Sequence, residues 1–223
     1  MEFPRSLPAQ LYLLAYDRQK GRVRGSNLGH ALRAAALVDL QMDGLVVDEG
    51  GKARVAPDAR PPDDPVLAAV FSEVASGRPR SWTHWVEKSA SKFRRIVRDE
   101  LAAAGWLAVE RRRILRIIPA DDVRLRQEHV VSSYATELTM VVRRGQPVDR
   151  IDPRKRALVA LAAIAGLPTL LSRADRKQYK VRLGEFADVL GPMARALRRA
   201  IQRAHAMAAT VGAGAGWTSH AGP

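Results

Sequence analysis

The sequence predicts a mainly α-helical protein, a single-domain helical bundle with two small β-hairpins. Three observations favour this fold class. Apolar residues recur at helical spacing over residues 27–47 and through most of the chain after Pro119. Hydrophobic residues make up 47% of the chain but aromatic residues only 5%, so alanine, leucine and valine must fill much of the core, as in close-packed helices. Two short stretches, 45–57 and 106–118, alternate between apolar and polar residues as hairpin strands do.

The central element is predicted to be a helix at residues 28–43. Its apolar residues surround nearly the whole helix, which is typical of a buried core helix. We expect Asn27 to cap the first turn and Gly44 to end the helix in a left-handed conformation. Arg33 is the exception in this apolar segment, because a guanidinium there must find a carboxylate, reach the surface or bind an anionic ligand. A later apolar stretch at 156–171 is expected to pack against this helix.

The other elements are predicted in chain order as a helix at 7–16, a polar turn at 17–25, a hairpin at 45–57, a helix at 66–75 capped by Asp64, a short helix at 82–88, a helix at 92–104 capped by Ser91 and ended by Gly105, a hairpin at 106–118 with basic residues at its tip, and helices at 123–143, 153–165, 167–172, 174–190 and 192–211. No linker is long enough to divide the chain. We therefore expect one helical domain at 7–210 and a disordered, low-complexity tail at 211–223.

The charge distribution favours a polyanionic partner. The 223 residues have a formal net charge of +14, while the segment from Asp43 to Glu73 holds three basic and seven acidic residues, so the rest of the chain has a net charge of +18. Such asymmetry is typical of proteins that bind nucleic acid or an anionic lipid surface. The chain has no cysteine, which excludes disulfides and thiolate metal sites.

The apolar segments predict a cytoplasmic protein that contacts membranes only from outside. The N-terminal residues do not resemble a secretory signal. The longest apolar run, 157–171, contains Pro168 and is shorter than the roughly 18 to 20 residues that a membrane-spanning helix needs.

Catalytic motifs are scarce. The five histidines are scattered, and no pair has metal-ligand spacing. Neither a nucleophile elbow nor a phosphate-binding glycine loop is present. Asp39 and Asp43, four residues apart on one helix, could form an acid/base pair, but such pairs are more often structural partners of arginines. We expect a protein that is not an enzyme and that uses no cofactor or metal.

The basic residues of the predicted helix at 92–104 are the main candidate binding group. Lys92, Arg94, Arg95 and Arg98 lie on this helix, near the free N–H groups of its first turn. Four cations of the preceding polar turn are expected to approach the same region: Arg18, Lys20, Arg22 and Arg24.

One interpretation is a winged-helix nucleic-acid-binding protein, because 82–118 has the order helix, helix, hairpin. The helix at 92–104, with its basic residues, would then enter the major groove of DNA, and Arg111 to Arg113 would form the tip of the wing.

A second interpretation comes from a family resemblance. The run LRAAALVDLQMDGLVV, preceded by GSNLGHA, resembles the Golgi phosphoprotein 3 family. The resemblance continues through PDDPVLAAVFSEVASGRPRSWTHWVEKSA, FRRIVRDELAAAGWLAVERRRILRIIP and KRALVALAAIAGL, so it covers roughly residues 8–205. The order and spacing of these motifs together are more specific than any one of them.

The resemblance implies a lipid-binding adaptor. Eukaryotic members are mainly helical, bind phosphatidylinositol 4-phosphate on Golgi membranes and hold the tails of glycosyltransferases there. Their headgroup site combines an arginine of the early core helix with arginines of the helix before the hairpin and a tryptophan of a preceding loop. The matching residues here are Arg33 and Arg94, whereas Ser91 stands in place of the second later arginine and Arg24 in place of the tryptophan. The predicted lipid-headgroup set is Arg33, Arg94, Arg24, Ser91, Lys92, Arg95 and Arg98.

The hairpin of the family has an exposed apolar tip that supports self-association and membrane insertion. Here Glu110 to Arg113 are charged, so we expect the tip to lie at headgroup level. The predicted membrane-facing residues are Arg111, Arg112, Arg113, Ile114 and Leu115.

Together these features predict a bacterial relative of the family, a cytoplasmic, peripheral membrane protein without enzymatic activity. It would bind an anionic phospholipid headgroup, with phosphatidylinositol 4-phosphate as one candidate, and act as an adaptor. The partners implied are an anionic membrane surface, tails of membrane proteins and a second copy bound through the 106–118 hairpin. The alternative is the winged-helix nucleic-acid-binding protein.

Overall fold

The computed structural model describes residues 3–114 and 118–214, with the backbone alone at 111–114, 118–121 and 211–214. The helices are α1 (Leu7–Leu14), α2 (Leu28–Met42), α3 (Pro65–Ser76), α4 (Trp82–Glu87), α5 (Ala90–Ala103), α6 (Glu128–Arg143), α7 (Pro153–Ala165), α8 (Arg173–Gln178), α9 (Lys180–Ala187) and α10 (Pro192–Gly214). The strands are β1 (Tyr16–Asp17), β2 (Arg22–Val23), β3 (Val46–Glu49), β4 (Lys52–Val55), β5 (Arg80–Ser81), β6 (Leu107–Ile114) and β7 (Ile118–Leu125). The predicted class, mainly α with small hairpins, is confirmed.

Helix α2 is the centre of the fold. Every residue from Ala31 to Leu40 is buried, and α2 packs against α1, α3, α4, α5, α7 and α10. The left-handed Gly44, with φ of 71°, follows the helix end as predicted. The predicted cap at Asn27 is wrong, because its side-chain amide donates a hydrogen bond of 3.4 Å to the Ala165 carbonyl and accepts none from the first turn.

Helix α7 is the second core helix. Its residues 157–162 are buried and it packs directly on α2, as the two apolar stretches indicated. The predicted helix at 167–172 is wrong, because Gly166 adopts φ of 70° and ends α7 and Pro168 lacks an N–H donor. The leucines of this turn are nevertheless buried in the core.

The described strands form three small antiparallel sheets, one more than predicted. Residues 17–25 are not only a turn, because β1 and β2 pair there with Tyr16 opposite Val23. Strand β5 adds a third strand to the predicted β3–β4 hairpin. Strands of two residues are too short to show an alternation of apolar and polar residues, so the sequence pattern could not indicate them.

The hairpin of β6 and β7 is longer than predicted. Its register runs from Leu107 opposite Leu125 to Ile114 opposite Ile118, so the hairpin ends at 125 rather than 118. The predicted tip at Arg111 to Arg113 is wrong, because these residues lie on β6. Pro119 suggested the end of the strand, but it lies within β7, and α6 therefore begins only at 128.

The predicted N-cap of α3 is confirmed, whereas the predicted N-cap of α5 is wrong. Asp64 accepts hydrogen bonds from the N–H groups of Val66 and Leu67, as predicted for α3. Ser91 is not a cap, because α5 begins at Ala90 after a left-handed Ser89 with φ of 51°.

The predictions for the C-terminal part differ in detail. The helix predicted at 174–190 is divided into α8, α9 and a 3₁₀ turn at Asp188–Leu190. Helix α10 continues to Gly214, and the rest of the predicted tail, 215–223, lies outside the described residues. No helix in the described part of the chain is both long and apolar enough to cross a bilayer.

Candidate functional site

The guanidinium of Arg33 is buried and pairs with a carboxylate of the protein itself. Its guanidinium is 1% exposed, pairs with Glu73 of α3 at 3.0 Å and donates through Nε to the Trp85 carbonyl at 3.0 Å. It also lies 5.0 Å above the ring of Phe93 on α5. Burial lowers the pKa of Arg33, and the Glu73 carboxylate opposes that shift. The side chain therefore joins α2 to three neighbouring helices.

Helices α2 and α5 meet, as the predicted headgroup site requires. A Cβ added at Gly29 of α2 would stand 2.5 Å from the Ala90 carbonyl oxygen at the start of α5. This close contact covers the first residue of α5, since Ala90 is buried. Ser91 and Lys92 follow in the first turn and are exposed.

The predicted arginines of α5 line one cavity, which we call the arginine cleft. Its volume is about 260 Å³, and α1, the β1–β2 hairpin, α5 and β7 surround it. The residues that line it are Tyr12, Gly21, Arg22, Val23, Arg94, Arg95, Arg98, Asp122 and Val123. Of the predicted headgroup residues, the cleft thus brings together Arg94, Arg95 and Arg98, while Arg33 is not among its lining residues.

The floor of the cleft is formed by Tyr12 and Arg94. Arg94 is half-buried and donates to the Val23 carbonyl at 3.5 Å, and its guanidinium lies beside the hydroxyl of the buried Tyr12. Burial raises the pKa of Tyr12, although the positive charges of Arg94 and Arg98 oppose the shift. The Tyr12 hydroxyl is therefore neutral at physiological pH.

The rim of the cleft carries cations available to a ligand. Arg22 and Arg95 are exposed, and no carboxylate within the described ranges pairs with either of them. Arg98 pairs with Asp99 at 2.7 Å, so its charge is partly balanced. The guanidinium groups of Arg22 and Arg95, beside a buried tyrosine and a third arginine, can bind a phosphate through several charge-assisted hydrogen bonds.

Arg24 lines a different cavity, of about 340 Å³, together with Tyr16, Arg18, Lys20 and Thr169. Its guanidinium is 3.7 Å from the Asp17 carboxylate. The structure therefore does not place Arg24 in the arginine cleft.

The predicted membrane-facing hairpin is described only in part. Leu115 and the side chains of Arg111, Arg112, Arg113 and Ile114 lie outside the described residues. Their contact with a membrane stays a prediction.

The elements of the winged-helix interpretation are present in the expected order, α4, α5, β6 and β7. The exposed face of α5 combines Lys92 and Arg95 with the acidic Asp99 and Glu100. Carboxylates on this face would repel the phosphates of a nucleic acid, so the mixed charge does not favour insertion into a major groove.

Asp39 and Asp43 are structural partners of an arginine. Arg154 of α7 pairs with both carboxylates, at 3.2 Å for Asp43, and Asp39 also accepts a hydrogen bond of 2.6 Å from the Leu7 N–H. Asp39 is fully buried, and burial raises its pKa to about 7.

Two residues of the arginine cleft extend the headgroup set. Arg22 belongs to the basic turn that was expected to approach the region, and β2 now fixes its position. Tyr12 was missed, because a single tyrosine in an apolar helix gives no sign of which neighbour its hydroxyl will face.

Comparison with known proteins agrees with the resemblance. The family model described as Golgi phosphoprotein 3 (GPP34) matches residues 7–204. Comparison with curated proteins gives no match. The matched residues include all described elements through most of α10, and with them the arginine cleft and the Arg33 cluster. The chain therefore belongs to the Golgi phosphoprotein 3 family.

Proposed function

We propose that this protein is a non-enzymatic peripheral membrane protein that binds the headgroup of an anionic phospholipid in the arginine cleft. The observation that carries the proposal is the convergence of four arginines, Arg22, Arg94, Arg95 and Arg98, on one cavity. Family membership fits a lipid-binding adaptor role at the level of the family.

The chemistry of the cleft suits a phosphate group. Guanidinium groups form paired hydrogen bonds with phosphate oxygens, and a cluster of them is a common means of recognising phosphorylated ligands. Arg22 and Arg95 would contact the phosphate at the rim, and Arg94 with the Tyr12 hydroxyl would donate from the floor. Phosphatidylinositol 4-phosphate has two phosphate groups, so rim and floor could each contact one of them.

The other predicted residues have supporting roles in this proposal. Lys92 and Ser91 lie on the exposed first turn of α5 and would face the membrane surface. Arg33 would act indirectly, because its contact with Phe93 fixes the helix that carries Arg94. Arg24 would add positive charge beside the cleft rather than bind the same phosphate.

The adaptor role is part of the same proposal. A protein held at the membrane by its cleft can present its remaining surface to the tails of membrane proteins. The β6–β7 hairpin would then lie at headgroup level and provide the contact with a second copy. Each of its cations near an anionic surface contributes about 1 kcal/mol of binding energy.

The test is cosedimentation with vesicles of neutral lipid, plain anionic lipid, phosphatidylinositol or phosphatidylinositol 4-phosphate, the anionic ones matched in total charge, at low and physiological salt. Arg22→Gln with Arg95→Gln removes the two rim cations, whose side chains are exposed. Arg198→Gln with Arg199→Gln is the matched control, because it removes two exposed cations from α10. We expect the cleft variant to lose at least tenfold in apparent affinity, as two charge-assisted contacts would disappear, and the control less than about threefold.

Equal losses in both variants would mean that overall charge alone drives binding, and would contradict the cleft. Equal binding of all the charge-matched anionic vesicles would restrict the proposal to anionic lipid without headgroup selectivity. A duplex oligonucleotide is added at the same salt concentrations. Sequence-dependent binding of the duplex that Arg22→Gln with Arg95→Gln abolishes would favour the nucleic-acid alternative instead.

A further inference from the structure

A second cavity lies between α1 and α6, and we call it the α1–α6 groove. Its volume is about 350 Å³, at the lower end of the range for small-molecule sites. Its lining includes Leu13, Leu14, Val131, Ala135, Thr169 and Arg18. None of the residues proposed to bind the headgroup lines this groove.

The inner wall of the groove is apolar. Leu13, Leu14 and Val131 are almost completely buried, and their side chains form part of the core behind the wall. The threonines of α6 in the lining have already used their hydroxyl hydrogens, since Thr136 donates to the Ser132 carbonyl at 2.9 Å and Thr139 to the Ala135 carbonyl at 2.8 Å. This wall can therefore hold a hydrocarbon chain without leaving the hydroxyls of these two threonines unsatisfied.

The mouth of the groove is polar and cationic. Thr169 has a buried hydroxyl with no hydrogen-bond partner among the described residues, an uncommon state for a buried polar atom. Arg18 is exposed, and no carboxylate in the described part of the chain pairs with it. Arg143 also reaches the groove, but Asp175 balances its charge at 3.0 Å.

The groove adjoins the cavity of Arg24. The two cavities share Tyr16, Arg18 and Thr169 as lining residues, and the second adds Lys20, Arg24 and Asp17, the partner of Arg24. The apolar wall of the groove thus lies near a group of basic side chains, and Thr169 and Arg18 line both cavities. A ligand that matches this arrangement has an apolar chain and an anionic head.

We propose that the α1–α6 groove binds a single-chain anionic amphiphile, with the chain against Leu13, Leu14 and Val131 and the anionic head between Thr169 and Arg18. The head could be the carboxylate of a fatty acid or the phosphate of a lysophospholipid, because both accept hydrogen bonds from a hydroxyl and a guanidinium. This site is separate from the arginine cleft and does not require a membrane.

The experiment is isothermal titration calorimetry of the full chain, without vesicles, with four probes: decanoate, 1-decanol, butanoate and decanoyl lysophosphatidic acid. We expect decanoate to bind with a stoichiometry of one and both 1-decanol and butanoate to bind at least tenfold more weakly, because each lacks one half of the ligand. Stronger binding of the lysophosphatidic acid than of decanoate would identify phosphate as the preferred head, and the reverse would identify carboxylate.

Three variants locate the site. Arg18→Gln and Thr169→Val should each weaken decanoate binding by roughly fivefold or more, since each removes one contact to the head. Thr169→Val should not destabilise the free protein, because the hydroxyl has no partner to lose. Ala135→Trp should fill the groove and abolish binding, while a circular dichroism spectrum equal to that of the wild type shows that this variant is folded.

Arg22→Gln with Arg95→Gln is the matched control, because it should leave decanoate binding unchanged while it weakens vesicle binding. Loss of decanoate binding in this control would place the ligand in the arginine cleft and overturn the proposal. Equal affinity for decanoate and 1-decanol, or decanoate binding unaffected by Arg18→Gln and Thr169→Val, would also overturn it. A failure of vesicle binding with intact decanoate binding would contradict the proposed function alone.

Discussion

Arg33 connects four helices through one buried guanidinium. It pairs with Glu73 on α3, donates to the Trp85 carbonyl on α4 and lies over Phe93 on α5. Lys88 also reaches Glu73, at 3.3 Å, so the carboxylate has two cations. A buried ion pair adds little net stability compared with an apolar pair, but removing one partner leaves the other without compensation.

We expect Arg33→Met to lower the free energy of unfolding by about 3 kcal/mol, near the lower limit for a broken buried ion pair because Glu73 is partly exposed and keeps Lys88. Urea denaturation followed by circular dichroism measures this difference. Arg54→Met is the control, because Arg54 pairs with Glu49 on the surface and its loss should change stability by less than about 1 kcal/mol. An Arg33→Met protein as stable as the wild type would contradict the structural role given to the guanidinium.

The N-termini of α3 and α5 differ in whether a side chain caps them. Asp64 caps α3 by accepting from two backbone N–H groups, whereas Ser91 lies inside the first turn of α5 with its side chain exposed. We expect Asp64→Ala to lower the free energy of unfolding by about 1 kcal/mol, and Ser91→Ala to change it by less than about 0.5 kcal/mol. Thermal unfolding of the two variants measures the difference. A loss at Ser91 as large as that at Asp64 would mean that Ser91 caps the helix after all.

The contact between α2 and α5 depends on a glycine. A Cβ at Gly29 would stand 2.5 Å from the Ala90 carbonyl oxygen and 2.9 Å from its carbonyl carbon, so α5 would have to move. We expect Gly29→Ala to lower the free energy of unfolding by about 1–3 kcal/mol, the usual effect of overpacking.

Gly184→Ala is the matched control for this substitution. Gly184 lies inside α9, and a Cβ there would meet no atom within 4 Å. Alanine is a better helix former than glycine, so this control should raise the free energy of unfolding by about 0.5–1 kcal/mol. Chemical denaturation of both variants checks the opposite signs, and a stabilising Gly29→Ala would show that the two helices do not meet closely.

Asp39 of the core helix α2 connects the N-terminal helix α1 with the second core helix, α7. Its carboxylate accepts from the Leu7 N–H of α1 and pairs with Arg154 of α7. Burial is the largest effect on its pKa, which is raised to about 7. Asp43 and Asp64 face the same region and raise the pKa further, whereas the Leu7 N–H and Arg154 lower it.

This shift predicts a pH dependence of stability. The folded protein holds the Asp39 proton up to about pH 7, whereas an ordinary aspartate has a pKa of 3.8. The contribution of Asp39 to the free energy of unfolding is therefore fully present below pH 3.8 and is lost as the pH rises to about 7. We expect the free energy of unfolding to fall less between pH 5 and 8 in Asp39→Asn than in the wild type.

Urea denaturation at both pH values measures the two slopes. Asp58→Asn, a substitution in an exposed loop, serves as the control and should keep the wild-type slope. The amide that Asp39→Asn introduces keeps an oxygen that can accept from the Leu7 N–H, but it cannot titrate. An unchanged slope in Asp39→Asn would mean that Arg154 holds the carboxylate ionised in the folded protein throughout this range.

The sequence predicted the helices whose apolar residues recur most regularly, and it predicted a basic region on α5 as the candidate site. The apolar patterns of α2 and α7 indicated the two core helices, because a helix buried on all sides must be apolar on all sides. The motifs between residues 8 and 205 also indicated the family. The arginines of α5 were predicted to form a binding group because several cations on one short helix produce a high local positive charge.

Which of these cations lie in the same cavity is apparent only from the folded chain. Arg33 and Arg94 lie on helices that meet, yet Arg33 turns toward Glu73 while Arg94 turns toward Tyr12 and Val23. The two-residue strands that fix Arg22 beside Arg94 are too short to show an alternating pattern in the sequence. The direction of a side chain depends on partners far away in the chain, as Glu73 is from Arg33, and a local pattern contains no information about contacts of that range.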